Sequence, residues 1–181
     1  MTGLLAIGIL VASCAVQHKQ AGSSATGSRE AQVPLSEVPS GEADSLFVAA
    51  VQAKQDGSNS QAMALFEAFL RLKPSGAAGY YELALLKGAA GDAEATLTNA
   101  RRAATLAPEN PWYGIAYGNA LAMTKDFDSA AGVFHRLAVS YPLENRYLYN
   151  EAVMLGDAKD YSRSLALFDT RTRDELVVAS N

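Results

Sequence analysis

Residues 108–142 read PENPWYGIAYGNALAMTKDFDSAAGVFHRLAVSYP. The segment opens on Pro108 and closes on Pro142, and Pro74 lies 34 residues upstream of Pro108. Small residues keep the same spacing: Ala50, Ala84, Gly118 and Ala152. A fixed period of this length marks an array of helical hairpins. Positions four apart share a helix face, so Ala130 and Phe134 sit one above the other. A small residue on the first helix of a hairpin lets the second approach closely. The bulky Phe134 then fills the space between units, and a proline blocks continuation of the second helix.

Outward from this stretch, units begin at Ala43, Ala77, Pro111 and Asn145. The pair Ala130/Phe134 recurs as Ala62/Phe66 and, relaxed, as Ser164/Phe168. The second unit has only Thr96/Ala100. The position before the small residue holds Ala49, Leu83, Tyr117 and then Glu151, a departure in the fourth unit. Between the two helices, Gly57, Gly91, Lys125 and Lys159 occupy one phase. Ser58, Asp92, Asp126 and Asp160 follow them as expected N-caps. Ser58 and Gln61 read as a capping box. Asn110-Pro111 and Asn145 are expected to cap first helices.

The period, the small residues and the spaced Ala/Phe pairs resemble the tetratricopeptide repeat (TPR). The resemblance covers about residues 43–169. It implies an all-α superhelix, an α-α solenoid of about four repeats: 43–76, 77–110, 111–144 and an incomplete 145–169. It also implies an inner surface built mainly from the first helices. Carried onto this chain, that surface takes Phe47, Val51, Tyr81, Leu85, Trp112, Ile115, Asn119, Arg146, Tyr149, Asn150 and Val153. Some members of the family clamp an acidic C-terminus with Lys, Asn and Arg on this face. Here Phe47 and Val51 replace the leading Lys and Asn, so no such clamp is expected. The row is mostly aromatic and aliphatic, which suits an apolar, helical segment of a partner. Tyr80, Tyr113 and Tyr147 are expected to pack between helices. For Tyr81, Trp112 and Tyr149 the residues alone leave packing and binding both open, although Tyr and Trp are enriched at binding hot spots.

Composition excludes several other functions. The net charge is −4, and the densest basic run is Arg101-Arg102. Nucleic-acid binding needs a denser basic footprint. A single cysteine, Cys14, rules out an intrachain disulfide. His135 has no acidic or cysteine constellation at ligand spacing in sequence, and reads as a solvated surface histidine. Asp126, Asp128 and Asp157 read as caps and solvated faces. No nucleophile elbow, phosphate loop or metal motif is present. The chain is expected to be non-catalytic and to need no cofactor or metal.

The first residues read as an export signal. Gly3 to Ala12 is too short an apolar run to span a bilayer and fits the centre of a cleaved signal over residues 1–13. Val11-Ala12-Ser13-Cys14 resembles the bacterial lipobox. That resemblance implies lipidation of Cys14 and a membrane anchor, although Met1-Thr2-Gly3 carries no basic residue. Stable anchoring follows from two or more acyl chains. Residues 14–42 read as a disordered tether, interrupted by Pro34 and Pro39, with a span of roughly 30 Å. Ala15 after the cysteine leans toward the outer membrane, facing the periplasm.

Residues 170–181 form an irregular tail, and Leu176 stands where the next proline is due. Repeat arrays need a polar terminal helix. Its lack here points to a truncated chain, or to an end that docks on a partner or a second copy. The reading is a lipid-anchored scaffold or adaptor binding protein partners in a bacterial cell envelope. Two alternatives stand beside it: an assembly or localisation factor for a pilus- or secretin-type apparatus, and an accessory region of a larger protein.

Overall fold

The computed structural model describes residues 40–169. They form α1 (Ser40–Gln55), α2 (Asn59–Leu72), α3 (Ala77–Ala89), α4 (Ala93–Leu106), α5 (Pro111–Met123), α6 (Phe127–Ser140) and α7 (Asn145–Asp157). A last helical run, α8, covers 161–169. Consecutive helices from α1 to α7 pack on one another, and α3 also touches α5. The odd helices α3, α5 and α7 begin 34 residues apart, as do α2, α4 and α6. The architecture is a TPR-type α-solenoid of stacked helical hairpins. The export signal, Cys14, most of the tether and the tail lie outside the described residues.

The turn inside each hairpin follows one pattern. Gly57, Gly91, Lys125 and Lys159 have φ of 76°, 80°, 64° and 66°. The next residue's N–H reaches five residues back: Ser58 to Ala53, Asp92 to Lys87, Asp126 to Leu121 and Asp160 to Leu155, at 2.8–3.0 Å. The left-handed residue's own N–H bonds three back, as Gly91 does to Gly88. This is the Schellman ending, and it satisfies the last carbonyls of each first helix. Asp92, Asp126 and Asp160 then cap the following helix, accepting from the N–H of Ala95, Ser129 and Arg163.

Three local expectations are corrected. Ser58 makes no side-chain cap bond, so the expected box with Gln61 does not form. Asn145 is the first residue of α7 and Glu144 occupies the cap position, with no side-chain cap bond. Asn110 does cap α5, accepting from Trp112 N–H at 3.0 Å. Finally, α1 begins at Ser40 rather than after the tether's expected end at residue 42. It starts directly after Pro39, and Glu42 lies in its first turn, where a carboxylate favours the positive helix end.

Packing follows the repeat. Ala50, Ala84, Gly118 and Ala152 are all buried. Phe66 and Phe134 are fully buried. One core cluster joins α1, α2 and α3 around Ala50, Phe66, Phe69 and Leu83. Another joins α5, α6 and α7 around Leu121, Phe134, Leu137 and Tyr147. Between them lies a cluster of three alanines, Ala84, Ala100 and Ala120. Ala100 stands where the first and third units place a phenylalanine, so the central contact is made by small groups.

Candidate partner-binding groove

The first helices carry the expected row, but its members are unequally free. At one end the row is half-buried against the core. Phe47 lies edge-on to Phe66 and Phe69, at centroid distances of 5.5 and 5.2 Å, and Val51 packs on the same cluster. Ile115 packs against the second cluster. Phe47, Val51 and Ile115 thus spend part of their surface on packing and are half-buried, like Tyr81. Asn150 and Val153 are half-buried, and Asn119 and Arg146 are exposed. Within the row, the large apolar groups that reach solvent are Leu85 at 40%, Trp112 at 55% and Tyr149 at 53%.

Two of the expected residues meet in one place. Tyr81 and Trp112 line a concavity of about 490 Å³ with Ala78, Glu82, Asn110 and Tyr113. The rings of Tyr81 and Tyr113 are 5.1 Å apart. The Asn110 cap holds the start of α5 and so sets where Trp112 emerges. Arg146 lays its guanidinium 5.5 Å from the Trp112 ring and 5.1 Å from Tyr147, and pairs with Glu144 at 3.1 Å. Lys54 of α1 donates to Glu82 of α3 at 2.6 Å, tying the first hairpin to the second. Burial pushes the Tyr113 phenol above its ordinary range, and Tyr81, Glu82 and Glu109 add to the rise.

Tyr149 stands apart from this concavity. Its ring meets Phe168 edge-on at 6.1 Å. Phe168 is 38% exposed, unlike its equivalents Phe66 and Phe134. Of the tyrosines expected to pack, Tyr147 is buried, and Tyr80 lies against the first cluster under Arg102. Tyr113, expected to pack between helices, also lines the concavity. Glu82 was not singled out at all. Its signal was an acidic residue beside Tyr81 in an otherwise apolar row.

His135 is a surface residue as expected, and it has a partner that the sequence did not show. It is largely exposed, but its Nδ1 lies 3.0 Å from Glu151 Oε1. Glu151 is only 8% exposed, and its second oxygen has no partner. The fourth unit's departure at Glu151 therefore has a structural meaning: the carboxylate pairs with the histidine of the preceding second helix. Asp128, Leu155 and Arg163 complete a concavity of about 450 Å³ around them. Among the described residues, no group of three His, Cys, Asp or Glu side chains is placed to hold a metal ion. No described helix is long and apolar enough to cross a membrane.

No protein-family model matches the sequence, and no curated protein matches it. Solved structures do. MamA from Desulfovibrio magneticus RS-1 superimposes with a TM-score of 0.64 at 15% identity, over 75% of this chain and 76% of that one. YrrB, described as a TPR protein with an unusual peptide-binding site, gives 0.64 at 20% identity, over 70% of this chain and 66% of that one. An O-GlcNAc transferase from Thermobaculum terrenum gives 0.54 at 23% identity, but only 22% of that chain is covered. At these identities the likeness is one of fold. The shared fold is that of stacked TPR hairpins.

Proposed function

We propose that this chain is a non-catalytic, lipid-anchored scaffold of a bacterial envelope, and that its first-helix row grips an apolar helical segment of a partner protein. The carrying observation is Trp112: a large ring, about half exposed, at the edge of a concavity shared with Tyr81 and Tyr113. A ring left in water in this way is a ready hot-spot anchor. The similarity to YrrB, whose description names a peptide-binding site, supports the reading. Replacing Tyr81, Trp112 and Tyr149 with Ala removes partner capture and leaves helicity intact. Retained capture contradicts the groove. The anchor rests on Val11-Ala12-Ser13-Cys14. Mass spectrometry of the mature protein should find diacylglyceryl on Cys14, and an unmodified cysteine removes the membrane assignment. An outer-membrane, periplasm-facing location and a role in assembling a pilus or secretin are finer readings. Mislocalised secretin in a deletion strain is the result that favours the assembly role.

A second reading concerns the last hairpin. Tyr161 and Leu165 are 61% and 63% exposed, and Phe168 is only partly covered. Such a face suits a second copy of the chain. Sedimentation should show a dimer that Leu165→Lys dissociates; a monomer at every concentration contradicts it.

A further inference from the structure

Building on the groove reading, we propose that the partner segment is held by a cationic side chain. Its ammonium or guanidinium group seats on the rings of Tyr81, Tyr113 and Trp112, against the carboxylates of Glu82 and Glu109. Three aromatic residues line one concavity, with Tyr81 and Tyr113 in ring contact, and aromatic faces attract cations. Glu82 lines the same concavity. Glu109 precedes Asn110 in sequence but lines a different concavity, with Arg136 and Tyr141; its carboxylate makes no ion pair among the described residues. After burial, both carboxylates add to the rise of the Tyr113 phenol, so both lie within its electrostatic reach. The chain already applies this chemistry to its own residues: Lys54 sits on Glu82, and Arg146 on Trp112. Glu82 is therefore partly neutralised, and Glu109 is the carboxylate left for a partner. A net charge of −4 steers a cationic segment toward the surface.

The probe is an acetylated, amidated amphipathic helical peptide of Leu, Ala and Gln with one central Arg. Its twin carries citrulline, which is neutral and nearly isosteric. Trp112 is the only tryptophan of the chain, so its emission reports occupancy of this site alone. Titrated into the full chain at low salt, both peptides should shift the emission saturably, the Arg peptide binding about tenfold tighter. That ratio should fall toward one in Glu109→Gln and at high salt, while the citrulline peptide is unaffected. Equal affinities for the two peptides overturn the cationic notch and leave the groove standing. A ratio unmoved by both salt and E109Q overturns the role of the carboxylates. Emission unmoved by either peptide removes the groove reading, and this inference with it.

Discussion

Left-handed backbone recurs at Gly57, Gly91, Lys125 and Lys159, and two of these four positions carry a side chain that strains it. A non-glycine residue there meets a clash between Cβ and carbonyl oxygen that glycine avoids. Lys125→Gly and Lys159→Gly should each raise stability by about 0.5–1 kcal/mol, read as a higher urea midpoint. An unchanged midpoint contradicts the turn geometry. Gly118 poses the opposite case. The first, second and fourth units place Ala at this position, but a Cβ on Gly118 would lie 2.8 Å from two atoms of the buried Phe134 ring. Gly118→Ala should therefore destabilise by about 1–3 kcal/mol through overpacking, despite the better helix propensity of Ala. The sequence displayed the shared phase of all these positions. It could not display which small residue must lack a Cβ, because that depends on how far a ring from another helix reaches.

Helix ends and helix contacts were largely legible, because caps and fillers act over a few residues. Asp92, Asp126, Asp160 and Asn110 cap as their types and places dictate. Ser58 does not, so Ser58→Ala should change stability little, whereas Asp92→Ala should cost about 1 kcal/mol. Thermal melts of the two variants compare them directly, and equal losses would contradict the cap assignment. Phe134→Ala should cost about 3–5 kcal/mol, since the ring is fully buried. Phe168→Ala should cost much less, because its ring is partly in water. The fate of Phe47 was not legible. Its spacing put it on the row, but Phe69 supplies an extra ring that Phe47 packs against. Phe69 fits because Gly79 opposes it: a Cβ there would lie 2.7 Å from the ring. One repeat later the positions of Phe69 and Gly79 hold Ala103 and Tyr113. The ring has moved from the second helix of one hairpin to the first helix of the next, which places a tyrosine in the candidate groove. Such compensated swaps leave the period intact and redistribute what the surface offers.

Across the whole molecule, two well-filled clusters flank a central contact of three alanines. Among the described helices the main contacts join consecutive helices and α3 with α5, so stability is close to a sum of local terms. The period therefore fixes the scaffold. Function depends on the few side chains that packing leaves uncovered, and among the expected residues those are Leu85, Trp112, Asn119, Arg146 and Tyr149, with half-buried Tyr81 beside them. The most direct measurement places a photoreactive amino acid, one position at a time, at Tyr81, Leu85 and Tyr149, and at the exposed Thr98 and Arg102 of α4, in cells that make the protein. The groove account predicts one common adduct from the first three positions and none from the α4 pair. The same adduct from Thr98 or Arg102, with none from Tyr81, would contradict it.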